Sequence, residues 1–341
     1  MNDIIEEIKN TNRPVIYTCS SQYNLLLALI LISLTKRKKQ SYIVMFSPES
    51  SVVHYFYKIS DKIDRIGIKN AVIDKKTRLQ RAIGLSDIKN NMVKKRVYKE
   101  LRTADKKYCL VNFSWNNQIV RYPASLYFKD CETSFFVEEG AAQFVTPNEN
   151  PLYVILKRIY GNQYGFWKDS RVKAIYVQKQ HCFPEYMRNK IRGFSWENIV
   201  QMLDQSQKVE IAKTLADEKD IDQLLTTQEK GCRIIVFTQP LSEDGFISES
   251  KKKSIYNEIV DHYSKNGRVA VKIHPRDTTV YGFKDVEIIS GKFPSEVFGL
   301  LNISFDLAVG ICTSAIETVD AKKRVNINQD YLRDYRIIFK D

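Results

Sequence analysis

Histidine is scarce in this chain, with four in 341 residues, and its six cysteines never pair in sequence. Cys19, Cys109, Cys131, Cys182, Cys232 and Cys312 stand singly, with no CxxC among them. That spacing argues against zinc binding and dithiol redox chemistry. Cys19, Cys232 and Cys312 lie in apolar, strand-like surroundings and read as buried free thiols of a reducing cytoplasm. Neither GxGxxG nor GxxxxGKS/T occurs, so the two commonest glycine-rich phosphate loops are absent. No repeat or low-complexity tract is visible.

Long apolar runs are missing too. The strongest, within NLLLALILISLTKRKKQ from Asn24, has a core of eight residues, 25–32, whereas a spanning helix needs about 20. Its basic run, Lys36-Arg37-Lys38-Lys39, follows the apolar stretch instead of preceding it, and no small-residue cleavage site appears, which excludes a signal peptide. A buried helix is the expectation.

What is present fits a folded α/β protein. The hydrophobic fraction is 43%, the charged fraction 27%, and 17 Phe, 19 Tyr and 3 Trp supply ample apolar area. At this length two domains, or one large one, are expected. The net charge of +13 points to anionic partners: nucleic acid, anionic lipid, or a phosphorylated or acidic small molecule.

Short apolar strands alternate with helical stretches, the pattern of a parallel sheet covered on both faces. Strands are expected at 14–19, 42–46, 109–113 and 134–137, then at 173–177, 233–237, 269–273, 286–289 and 307–310. Ser20-Ser21-Gln22 can cap a helix starting near Tyr23. Further helices are expected over 254–263, around 295–301 and from Thr313. Residues 150–230 hold few strand-like runs, so the domain junction is expected there.

In open α/β sheets ligands bind beyond the carboxyl ends of the strands, and the cleft between two such halves is the expected site. Five polar clusters fall at strand ends: Ser20-Ser21-Gln22, Glu138-Glu139-Gly140, TQPLSEDG (238–245, with Gln239 and Asp244), KIHPRD (272–277) and Cys312-Thr313-Ser314. Thr313 and Ser314 open a helix, whose free N–H groups and hydroxyls suit a phosphate or simply cap the helix. His274 can donate to an anionic leaving group or stabilise it as imidazolium, with Lys272 and Arg276 adding charge and Pro275 fixing the loop. His54, His181 and His262 have no such setting. A strand-end carboxylate in Glu138-Glu139-Gly140 can act as general base, its pKa raised by burial and like charge, while Gly140 allows close approach of a ligand. Glu243-Asp244-Gly245 repeats that arrangement, so two candidate bases compete. Asp220-Ile221-Asp222 spells a DxD, but in a charged helical stretch and not at a strand end.

In this order the clusters resemble those of bacterial sialyltransferases of glycosyltransferase family 52, the lipooligosaccharide sialyltransferase group. That group carries an acidic pair before glycine, a His-Pro motif and a Ser/Thr pair near the C-terminus, here Glu138-Glu139-Gly140, His274-Pro275 and Thr313-Ser314. The N-terminal strand, the turn with Gln22 and the Leu-rich helix are also similar, as is TQPLSEDG ahead of KIHPRD. The chain departs from the pattern in having Glu-Glu for the Asp-rich form and Ser-Ser-Gln where Thr-Pro-Leu-Gln is commoner.

The resemblance implies a GT-B fold: a Rossmann-like acceptor domain over 1–155, a helical linker over 156–230 and a Rossmann-like donor domain over 231–341. It implies CMP-sialic acid as donor, a galactose-terminated surface glycan (capsule or lipooligosaccharide) as acceptor, inversion by direct displacement, and no metal or other cofactor. His274 would assist CMP departure. Thr313 and Ser314 would hold the phosphate, with Lys272, Pro275, Arg276 and Gln239 around the donor. Glu139, Glu138 or Asp244 would be the base, and Ser20, Ser21, Gln22 and Gly140 would line the cleft. The family also holds transferases of other sugars, so a UDP-sugar donor is the alternative. Residues 157–168, KRIYGNQYGFWK, mix cations with aromatics. That composition suits either a solvated linker or a membrane interface where lipid-linked acceptors lie. The expected location is the cytoplasm, at the inner membrane face if that contact forms, and a homodimer is compatible with all of this. A nucleic-acid partner is suggested by charge alone, without helix-turn-helix, RRM or zinc-finger spacing.

Overall fold

Strand β1, Val15–Cys19, is buried at every position, as a central strand of a sheet covered on both faces must be. Ser21 ends the turn that follows it, and its Oγ accepts the Asn24 N–H at 3.2 Å, capping helix α2, Gln22–Thr35. The eight apolar residues 25–32 are all buried. A helix apolar on every side is a core helix, and α2 is that element. Among the described residues no helix is long and apolar enough to cross a membrane.

The structure is a computed structural model and describes residues 1–19, 21–36, 41–45, 68–72, 107–113, 131–138, 169–183 and 185–327. The chain divides into two units, Met1–Leu203 and Asp204–Asp341. The expected linker 156–230 is therefore shared between them.

The first unit opens with helix α1, Asn2–Asn10, which buries Ile4, Ile5 and Ile8. Its sheet adds β2 (Ser41–Met45), β3 (Ile68–Val72), β4 (Tyr108–Asn112), β5 (Cys131–Val137), β6 (Val172–Val177) and β7 (Ile191–Gly193) to β1. The spatial order is β3-β2-β1-β4-β5-β6-β7, with every pairing parallel. Helix α3, Trp196–Gln201, follows, and Ser195 caps it.

The second unit begins with α4 (Gln205–Leu215) and α5 (Glu218–Glu229). The DxD pair lies on α5. Asp220 and Asp222 flank buried Ile221, and two residues on a helix point about 200° apart, so these carboxylates cannot share one ion. The unit continues with β8 (Ile234–Phe237), α6 (Glu249–Ser264), β9 (Val269–Lys272), β10 (Glu287–Ile289), α7 (Val297–Leu300), β11 (Ser304–Ile311), α8 (Ala315–Thr318) and β12 (Asp320–Ile327). The strand order β10-β9-β8-β11-β12 is again wholly parallel. The expected α/β class with parallel sheets holds in both units. Their strand orders reverse direction at β1/β4 and at β8/β11, the switch points where doubly wound sheets bind ligands.

Four of the described cysteines, Cys19, Cys109, Cys131 and Cys232, are buried. Cys312, expected to be buried, is exposed. It lies one residue past β11 with φ at 45°, in the left-handed region, so the chain has already turned out of the sheet.

Candidate functional site

The carboxyl end of β8 is the centre of the second unit's polar cluster, because β9 lies on one side of this strand and β11 on the other. Thr238, buried directly after β8, donates its N–H to the Lys272 carbonyl at 3.0 Å and accepts the His274 N–H on Oγ1 at 2.9 Å. The loop after β9 is thus hung on the end of β8. Gly291 packs against the same turn: a Cβ there would come within 2.9 Å of both the His274 and Ile273 carbonyl oxygens.

His274 is partly buried, and its Nδ1 accepts the Arg276 N–H at 3.1 Å. Burial, then the Arg276 and Lys272 cations, push the imidazole down to about 4. The ring is therefore neutral near pH 7, with its proton on Nε2. The imidazolium option gives way to a neutral Nε2–H donor. Arg276 reaches back to Asp244 through two bonds, Nη1 to Oδ1 at 2.6 Å and Nη2 to Oδ2 at 3.1 Å. Pro275, between the two, is exposed.

Lys272 does not face outward with them. It is 3% exposed, donating to the Ser290 carbonyl at 2.6 Å and the Ile273 carbonyl at 3.3 Å, with its ammonium 4.3 Å from the Phe293 ring centre. Burial pushes it down to about 7, against the pull of Glu296 and Asp220. Burial also raises the Glu296 carboxyl.

The Thr313-Ser314 turn is weaker than a helix N-terminus implies. Helix α8 is a single turn of four residues, too short to sum a large dipole. Thr313 is buried and its Oγ1 accepts the Ala315 N–H at 3.1 Å. Ser314 is exposed and makes no capping bond. Gly310 makes room for the turn, because a Cβ there would collide with the Thr313 methyl. Gln239, half-buried, gives its carbonyl to the Leu241 N–H at 2.8 Å.

Sequence reasoning missed the residues that hold these loops. Lys252, on α6, is fully buried, and its Nζ lies 2.7 Å from both Glu243 Oε2 and Asp277 Oδ1. Tyr281 donates to Asp277 Oδ2 at 2.9 Å, and Thr278 gives its N–H and hydroxyl to Glu243 Oε1 at 2.8 and 3.0 Å. Partial burial works to raise Glu243, but the Lys252 ammonium and the Thr278 N–H hold it well below the usual carboxylate range. A signal existed. Lys252 precedes Ile255, Tyr256 and Ile259 at helical spacing, so the middle of the KKK run falls on the buried face.

In the first unit Glu138 follows β5 and is 1% exposed. Gln178, just past β6, donates Nε2–H to its Oε1 at 2.9 Å, while Oε2 has no partner among the described residues. Burial raises this carboxyl, with Gln178 and Lys179 opposing. Nearer the switch point, Thr18 donates to Asn112 Oδ1 at 2.9 Å. Ser21 and Gln22 occupy the cap and first position of α2. Ser20, Glu139, Gly140 and the basic and aromatic residues 157–168 lie outside the described residues, as does His54. A separate hollow in this unit, lined by Asp3, Tyr176, Arg192 and Asn198, includes none of the expected site residues.

Two structural neighbours share the architecture. The GT-B domain of a sialyltransferase from Photobacterium damselae matches at a TM-score of 0.59 with 14% identity, covering 92% of this chain and 90% of that one. A sialyltransferase from Photobacterium damsela matches at 0.58 with 12% identity, covering 92% and 74%. At such identities the likeness is one of fold, and the fold is GT-B. In sequence, an uncharacterized protein of Haemophilus influenzae is 29% identical over 197 residues, 56% of this chain. The match spans 60% of that protein's length. The family model of glycosyltransferase family 52 matches residues 16–329. With nearly its whole length so matched, the chain belongs to glycosyltransferase family 52.

Proposed function

We propose that this chain is an inverting sialyltransferase that moves sialic acid from CMP-sialic acid to a galactose-terminated bacterial surface glycan, of capsule or lipooligosaccharide. The observation that carries the reading is the state of His274. Its Nδ1 accepts the Arg276 N–H at 3.1 Å, so a neutral ring presents Nε2–H at the carboxyl end of the donor-side sheet. A neutral donor suits a nucleoside monophosphate leaving group, which departs with its electrons and gains a hydrogen bond as its charge develops.

In the proposed reaction the acceptor hydroxyl oxygen bonds to the anomeric carbon of sialic acid as the bond from that carbon to the CMP phosphate oxygen breaks. The hydroxyl proton passes to a carboxylate of the Glu138-Glu139 pair. The raised pKa of buried Glu138 fits a general base, whereas Asp244 is occupied by Arg276. The exposed Ser314 hydroxyl and the Arg276 guanidinium are the proposed phosphate contacts. Lys272, whose ammonium is taken up by backbone carbonyls, contributes only charge. The scheme asks for no metal. The proposed location is the cytoplasm, and residues 157–168 are the proposed membrane contact for a lipid-linked acceptor.

Incubation with CMP-sialic acid and lactose tests this. Transfer with CMP release is expected, and folded protein that does neither would sink the reading. A melting panel with CMP, CDP, UDP and GDP names the donor nucleotide, because ligand at 100 times its Kd stabilises the fold by about 2.7 kcal/mol. Stabilisation by UDP in place of CMP would assign a UDP-sugar donor.

A further inference from the structure

Lys252 is the only lysine of the KKK run (251–253) whose side chain is fully buried. A buried ammonium is retained only where acceptors surround it, and here they come from two separate loops. Glu243 belongs to the loop after β8 and Asp277 to the loop after β9. Ser242 adds a third acceptor at 3.3 Å.

These contacts run to His274 through the backbone. The Asp277 N–H donates to the His274 carbonyl at 2.9 Å, closing the turn 274–277. Asp277 Oδ1, while paired with Lys252, also accepts the Thr279 N–H at 3.0 Å. Glu243 Oε1 holds the Thr278 N–H at 2.8 Å. Within that turn the Arg276 N–H meets His274 Nδ1, the bond among the described residues that decides which ring nitrogen carries the proton. The turn is thus fixed from below by Lys252 and from the β8 side by Thr238.

We propose that Lys252 is a positioning residue for His274, tying the two strand-end loops together so that the 274–277 turn keeps the imidazole in its Nε2–H tautomer. It touches no substrate. The proposal rests on the transferase reading only for its effect on turnover. The tautomer itself is a property of the free protein.

The test uses full-length protein with 15N-labelled histidine. Long-range 1H–15N spectra report which ring nitrogen is protonated, and the resonance lost in His274→Gln identifies His274 among four histidines. Lys252→Met and Glu243→Gln are compared with the parent. The second variant keeps an acceptor for Thr278 while removing one charge, so it decides the matter where the first does not fold. The expected result is loss of the single Nε2–H signature in both. Alongside it kcat should fall on the order of 10²-fold, as misplacement by about 1 Å produces, with the KM for CMP-sialic acid little changed. An unchanged His274 signature in a folded variant would overturn the proposal. Because the spectra need no substrate, a chain that proves inactive on CMP-sialic acid removes the proposed function and leaves the role of Lys252 decided.

Discussion

Arg276 grips Asp244 through both carboxylate oxygens, at 2.6 and 3.1 Å, with the two side chains 45% and 33% exposed. The pair ties the HPR turn to the TQPLSEDG loop. It also occupies the carboxylate that competed, on sequence grounds, for the role of base. Exposed pairs contribute about 0–1 kcal/mol. Asp244→Asn should therefore leave the melting temperature nearly unchanged and lower kcat by less than about tenfold, an effect smaller than that of any Glu138 variant. A loss as large as that of Glu138→Gln, measured in the same assay, would return Asp244 to the base.

Glu138→Gln should separate stability from activity. In the fold this carboxyl titrates above its ordinary value because it is buried. The unfolded chain releases the proton first as pH rises, so the ionised group costs stability above the ordinary carboxylate range. At pH 7 the glutamine variant should melt higher than the parent while kcat drops roughly 10²–10⁴-fold, the usual worth of a general base. Melting curves and initial rates on one preparation check both.

His274 has the opposite sign. Its folded value of about 4 lies below the ordinary 6.5, so the unfolded chain takes up the proton first as pH falls. The parent should lose stability between about pH 6.5 and about 4, and His274→Gln should flatten that part of the curve. His274→Ala should lower kcat on the order of 10²–10³-fold, as removal of one transition-state donor does, with little change in melting at pH 7.

Gly291→Ala tests the turn from its other side. The new methyl would meet the His274 and Ile273 carbonyls at 2.9 Å. Overpacking against backbone costs about 1–3 kcal/mol, and the turn must shift to relieve it. Lower melting and a lower kcat are expected together. An active, fully stable variant would show that the turn tolerates displacement.

Much of this protein is determined locally and is therefore readable from its sequence. The buried strands Val15–Cys19, Ile234–Phe237 and Val269–Lys272 are short β-branched runs, and α2 is apolar on every side, so burial is the only outcome open to them. His274 is legible because a strand end followed by proline places an imidazole at a sheet's carboxyl edge. Tertiary structure decided the rest. Helix phase puts Lys252 on the buried face of KKK, but nothing in the run names Asp277 and Glu243 as its partners. Lys272 and Arg276 look alike as cations flanking a histidine, yet one ends on the Ser290 and Ile273 carbonyls and the other on Asp244. The last residue of a strand and a residue in the loop beyond it face different surroundings. The physical reason is that apolar burial follows from a residue's own chemistry, whereas a charge is defined by its partners, and partners 25 or 32 positions away meet only when the sheet has formed.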